Sequence, residues 1–362
     1  MKVAICISSE LRNIKFTFPK LKEFVNRYFL GWEVDYFLYC PNIFIKNYTN
    51  VNYIYDENYL NYVDDNTKRY ISDLLQPKSF IIENDSENLR KLLEKYKLNN
   101  YDYNSCLTSK NKLNDNESHY HDLTNARSFN QYYFAQQVIE LKKNYEKENN
   151  FKYDLVFRIR PDIYFVDVNN VSSINLSDDR LLGKSDHSKN SWPNSIFVTY
   201  MFVKSGCGQI TDHCFLGNSE SMDNFHKDAT KHLVELHNII NENRFKDDML
   251  ESLYNFIYPP ERKWFFLGMI NKISFVNSLS IQECLIRDHF EKNDWNDYDE
   301  NQKILNHQIY IENVNHIIGD CVRHRNYILE KIIKYFKQKS IFCFKNEQEF
   351  LNFMLENYNI FI

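Results

Sequence analysis

The apolar positions of the chain fall first into a solid run, Val3 to Ile7, closed by Ser8 and Ser9. A continuous run of strand length is what a sheet covered on both faces requires, and small polar residues at its end let a ligand approach the backbone. Residues 18–29 then carry Leu21, Phe24, Val25 and Phe29 at helical spacing, and residues 34–40 return to a solid run stopped by Pro41. A third strand is expected over 51–55, closed by Asp56 and Glu57. This β-α-β-β order predicts the α/β class, with a Rossmann-type, mostly parallel sheet flanked by helices.

From 58 to 122 the periodicity weakens, so the stretch reads as a helical surface insertion or mobile loop, with a short helix over 88–96. Phe129, Tyr132, Ala135 and Ile139 form one stripe of a helix over 124–149, with Thr124 as its candidate cap. Residues 153–165 follow, where Leu155, Val156 and Phe157 make a strand that Arg160-Pro161-Asp162 stops. Beyond it, 195–203 and 214–217 read as strands and 219–243 as a helix. The final third, including 282–290 and 327–336, reads as mostly helical. The expected organisation is one α/β domain over 1–290 and a helical extension over 291–362 packed on it.

Composition narrows the class of partner. The chain has 362 residues, 43% of them hydrophobic and 16% aromatic, enough apolar area to fold without staples. Its formal net charge of -5 offers no global basic field for a nucleic-acid backbone, so nucleic acid is not an expected partner. The 8 cysteines include no CxxC pair, which fits reduced, buried thiols and a cytoplasmic location. The first apolar run is too short for a signal segment or a membrane span, leaving at most peripheral contact with the inner membrane surface.

The sharpest chemical constellation is Arg158-Ile159-Arg160-Pro161-Asp162. Strand alternation places Arg158 and Arg160 on one face, with Asp162 where the backbone turns. Two guanidiniums suit a diphosphate, and the carboxylate suits a divalent cation or a sugar hydroxyl. An Arg/Asp ion-pair network at a strand end is the competing reading of equal weight. Ser8 and Arg12, in the loop after the first strand, are candidates for the same nucleotide, or members of an ordinary strand-to-helix loop; no GxGxxG accompanies them. Asp212 is a candidate base or acceptor contact, against the commoner reading of a turn aspartate. Glu283 carries the same ambiguity, and Trp192, in a polar tract, is a candidate for stacking on substrate. No histidine pair has metal-ligand spacing, and no nucleophile elbow is present.

Taken together, residues 1–8 with Leu11-Arg12-Asn13, residues 153–162, and Asp212 with Phe215-Leu216-Gly217-Asn218-Ser219 resemble the GT-A-like glycosyltransferases of bacterial surface-polysaccharide clusters and large DNA viruses. The resemblance implies a GT-A-like fold, a nucleotide-diphosphate-sugar donor and a saccharide or lipid-linked glycan acceptor. Joined to the residue reading above, it makes Ser8, Arg12, Arg158, Arg160 and Asp162 the candidates for the donor nucleotide, Asp162 and Asp212 the candidate catalytic carboxylates, and Trp192 and Glu283 the candidate substrate contacts. Enzymes of that type commonly hold Mn2+ or Mg2+ with Asp-x-Asp. Here the tripeptide is Arg160-Pro161-Asp162, so Asp162 is the one candidate metal ligand and Arg160 replaces the first carboxylate. Two other functions fit the same scaffold: transfer of a non-sugar phosphorylated group onto a surface polysaccharide, and carbohydrate binding without catalysis.

Overall fold

The computed structural model describes residues 1–45, 60–84, 117–165, 194–198, 201–204, 207–210, 212–233, 263–264, 267–268, 271, 273–277 and 283–285. The chain divides into two compact units. One comprises Met1–Ser173 and Ile281–Gln308; the other comprises Ile174–Ser280 and Ile309–Ile362.

The first unit opens with β1 (Lys2–Ser8), α1 (Ile14–Tyr28) and β2 (Glu33–Pro41). A small antiparallel pair, β3 (Ile43–Ile45) with β4 (Leu60–Tyr62), precedes α2 (Asp65–Leu75) and β5 (Ser79–Glu83). The long α3 (Glu117–Glu148) leads into β6 (Leu155–Ile159) and β7 (Ile163–Phe165). Four strands run parallel in the order β5-β2-β1-β6. Val3 to Ser8 are completely buried, which explains why β1 reads as an unbroken apolar run. One face of the sheet meets α1, where Phe24 stacks on Phe165 at 4.1 Å and lies 5.8 Å from Phe157. The other meets α3, where Phe37 touches Tyr145 edge-on at 5.5 Å and Tyr39 lies 5.9 Å from Phe134. Each such buried side chain contributes roughly 1.5–3 kcal/mol.

Several expectations are corrected in this unit. Residues 58–122 contain α2 and β5, so the stretch supplies part of the sheet itself. The weak periodicity has a physical cause: none of the five β5 residues is fully buried, and Ile81 is exposed. Asp64 starts α2 by accepting from the Thr67 backbone N–H at 2.7 Å, and Gln76 closes it in the left-handed region. Thr124 lies inside α3 and does not cap it. Within the expected helix over 282–290, β13 (Glu283–Leu285) is a strand antiparallel to β7. The expected elements over 51–55, 88–96 and 327–336, and the extension over 291–362, lie outside the described residues.

The edge of the sheet where β1 and β6 begin is tied by polar contacts. Tyr153 donates to Asp35 at 2.6 Å, and the buried Glu146 accepts from Lys142 at 3.2 Å, Lys152 at 3.0 Å and the Tyr153 backbone at 2.9 Å. A buried carboxylate needs this many donors to offset its desolvation.

In the second unit β8 (Asn194–Val198) pairs antiparallel with β11 (Cys214–Gly217) and parallel with β12 (Ile273–Asn277). A hairpin of β9 (Met201–Lys204) and β10 (Cys207–Ile210) stands beside this sheet in sequence, so the strand expected over 195–203 is two strands. The helix expected over 219–243 is interrupted: α4 (Ser219–His226) stops before Asp228, which takes φ 53, helix resumes over 229–233, and 234–243 lie outside the described residues. Phe215, Phe225 and Trp264 form this unit's aromatic core, with Phe215 5.1 Å from each of the other rings.

Candidate functional site

In the first unit β2 and β5 lie on one side of β1 and β6 on the other. The order therefore reverses between β1 and β6. At such a reversal the connections after neighbouring strands diverge, opening a crevice at the carboxyl ends where α/β sheets bind ligands. Ser8 ends β1, and Ile159 ends β6.

Arg158 is the penultimate residue of β6, in register with Cys6, and it is fully buried. Register partners of parallel strands share a face, and the alternation that puts Phe157 against α1 turns Arg158 to the α3 side with Cys6 and Ser8. There the Arg158 Nε donates to Ser8 Oγ at 3.1 Å across the reversal. A buried guanidinium costs several kcal/mol unless hydrogen-bonded acceptors surround it, and Ser8 supplies one of them.

Arg160 lies one residue past β6, not within it as the alternation predicts. Its Nε and Nη2 donate to Asp162 Oδ1 at 2.9 Å and Oδ2 at 2.7 Å, a two-pronged ion pair whose side chains are 11% and 3% exposed. In the loop after β1, Arg12 makes a similar contact, with Nε 2.9 Å and Nη2 2.5 Å from Glu10 Oε2. That loop is bounded by two non-glycine residues at positive φ, Ser9 at 127 and Asn13 at 51. Asparagine tolerates its value; serine at 127 is in a sparsely populated region, and such strain of about 1–3 kcal/mol concentrates at ligand-binding sites. The structure thus brings together Ser8 with Arg158 and Arg160 with Asp162, and gives Arg12 a carboxylate of its own.

Both Asp162 oxygens accept from Arg160, and among the described residues no three His, Cys, Asp or Glu side chains gather as a metal site.

Asp212 belongs to the second unit, buried just before β11, with its Oδ1 3.8 Å from His213 Nε2. The residues after it have structural duties. Phe215 fills the core. A Cβ on Gly217 would lie 2.8 Å from Ile196 Cδ1 and 3.2 Å from the Ser195 carbonyl, and Asn218 caps α4 by accepting from the Ser221 N–H at 2.8 Å. Glu283 begins β13, its backbone in register with Phe165. Trp192 lies outside the described residues.

A polar group absent from the sequence reading sits at the carboxyl end of β2 and β5. Glu83, the last residue of β5, accepts from Tyr39 on β2 and from Tyr133 on α3. The signal for it was the apolar Phe80-Ile81-Ile82 closed by Glu83, a strand-and-carboxylate pattern hidden within a stretch read as insertion.

A scan against protein-family models finds no match, and no curated protein matches the chain. Among the described residues no helix is long and apolar enough to cross a membrane.

Proposed function

We propose that the chain is a GT-A-like glycosyltransferase that moves a hexose-type sugar from a nucleotide-diphosphate donor to a hydroxyl of a saccharide or lipid-linked glycan. The observation that carries this reading is Arg158: a fully buried guanidinium, fastened to Ser8 where the strand order reverses. Glycosyl transfer expels a nucleoside diphosphate, and charge grows on its oxygens as the glycosidic bond breaks. Guanidinium groups fixed beforehand stabilise that charge without reorganising.

Arg160 and Arg12 supply two more guanidiniums near the ends of β6 and β1, each engaged with a carboxylate. An arriving diphosphate competes for the same planar N–H pairs. If it wins, Asp162 becomes an acceptor for donor-sugar hydroxyls, and Glu10 turns to solvent. On this reading arginine does the work that a carboxylate-bound metal does elsewhere, in keeping with Arg160 at the first position of the tripeptide. Asp212 is retained as the proposed base, on its sequence context alone.

The test is incubation of purified protein with a broad panel of nucleotide sugars, with and without Mn2+, following nucleotide release and product mass. Release of nucleotide with a product heavier by one sugar supports the reading. A product carrying a non-sugar phosphorylated group identifies the rival transferase. No turnover and no donor-induced thermal shift across the panel overturns it.

A further inference from the structure

Four consecutive strands of the first unit place polar side chains on one face of their carboxyl ends. Ser8 is in register with Tyr39, and Tyr39 with Ile81, while Glu83 follows two residues later in register with Pro41. Because alternate residues share a face, Arg158, Ser8, Tyr39 and Glu83 all lie on the side covered by α3. The row ends in a carboxylate about two strand spacings, roughly 10 Å, from β1.

Glu83 is only half-buried, and so is Tyr133. Tyr133 donates to both Glu83 oxygens, at 3.2 Å to Oε1 and 3.1 Å to Oε2, while Tyr39 donates to Oε2. A carboxylate has about four acceptor positions; these three contacts leave about one untouched, and the Tyr133 hydrogen is shared between two others. Each phenol spends its hydrogen on Glu83, which fixes the carboxylate's orientation. Burial pushes Tyr133 up to about 12, and burial with the Glu83 hydrogen bond raises Tyr39 further, so both hydroxyls stay protonated donors. The edge-on Tyr39 and Tyr133 rings, 6.2 Å apart, add an apolar wall. An oriented, part-exposed carboxylate with spare acceptor capacity beside aromatic rings matches adjacent hydroxyls, each with one hydrogen to donate.

We propose that Glu83, oriented by Tyr39 and Tyr133, binds a vicinal diol of a sugar ring. Two sources present it: the ribose of a nucleotide lying along the row from Arg158, which rests on the proposed function, and a pyranose of a bound glycan, which does not.

The test uses the full chain and the variants Glu83→Gln and Tyr133→Phe, with calorimetric titration of ribonucleoside diphosphates, their 2′-deoxy counterparts, pyrophosphate, and methyl glycopyranosides. Loss of charge-assisted hydrogen bonds predicts that Glu83→Gln weakens the diol ligand roughly 10–100-fold. Tyr133→Phe is expected to weaken it less, and pyrophosphate binding to stay unchanged. If ribose is the source, wild type prefers ribonucleotide over 2′-deoxynucleotide and Glu83→Gln erases the preference; if a pyranose is, only glycoside binding falls. Equal affinities in wild type and a folded Glu83→Gln, or no binding of either diol source to wild type, overturns the proposal. Nucleotide bound without any ribose preference overturns the ribose source and leaves the diphosphate site standing, whereas failure of every diphosphate counts against the proposed function.

Discussion

The Arg158 Nε sits 3.1 Å from Ser8 Oγ, joining the last turn of alternation in β6 to the last residue of β1. Both residues are wholly buried, and they belong to the two strands between which the sheet changes direction. The Ser8 contact engages the Nε edge and fixes the plane of the guanidinium, and a guanidinium held in one plane meets an anion without reorganising.

Replacing Arg158 by Lys keeps the charge but removes the planar donor set, so nucleoside diphosphate affinity should fall about tenfold or more. Ser8→Ala should cost less, about two- to tenfold, because it frees the plane without removing charge. Titration calorimetry beside thermal unfolding separates loss of binding from loss of fold. Ser8→Ala affinity equal to wild type would remove Ser8 from the site.

The ion pair of Arg160 with Asp162 makes a sign prediction. Asp162→Asn removes a competitor for the Arg160 donors, so pyrophosphate should bind more tightly, by about two- to tenfold, while sugar transfer declines. Arg160→Ala should weaken both. Weaker pyrophosphate binding in Asp162→Asn would show that the carboxylate helps the phosphate, as a metal ligand does. Under the arginine account, binding should also persist in excess chelator.

Ser9 tests whether strain is kept for function. Glycine adopts φ 127 without a Cβ clash, which relieves about 1–3 kcal/mol but adds roughly 0.5–1 kcal/mol of unfolded-state freedom. Ser9→Gly should therefore be neutral or more stable by up to about 2.5 kcal/mol by denaturant titration, with nucleotide binding weakened. A less stable variant would mean that the serine side chain holds the loop.

Gly217 and Tyr36 probe the scaffold. Gly217→Ala must push Ile196 aside and crowd the Ser195 carbonyl, an overpacking cost of about 1–3 kcal/mol visible in chemical denaturation. Burial raises Tyr36 from its ordinary value to about 12. The neutral phenol is favoured in the fold, so its contribution is full below pH 10 and declines as the pH climbs through about 12. Tyr36→Phe should flatten that alkaline loss of stability, measured by urea midpoints across the range.

What could be read from the residues alone follows how buried each element is. Val3 to Ile7 and the Phe24 helix were legible because full burial leaves an unbroken or strictly periodic pattern. β5 was not, since an edge strand buries too little to write one, and Glu83 was lost with it. The Arg158-to-Asp162 segment stands out in the sequence as charge on an apolar strand, and β6 ends at Ile159, where Arg160-Pro161-Asp162 begins. No local pattern shows that Arg160 reaches Asp162 or that Arg158 meets Ser8 150 residues away. Phe215 to Ser219 looked functional, and Gly217 and Asn218 turned out to answer to close packing and helix capping.

The most direct measurement is titration calorimetry of wild type and Arg158→Lys with the ribonucleoside diphosphates, in chelator and in Mn2+. Wild type should bind at least one of them in chelator, and Arg158→Lys should bind it at least tenfold more weakly with an unfolding midpoint close to wild type. Equal binding by the two proteins, or wild-type binding that appears only with Mn2+, contradicts an arginine-built diphosphate site.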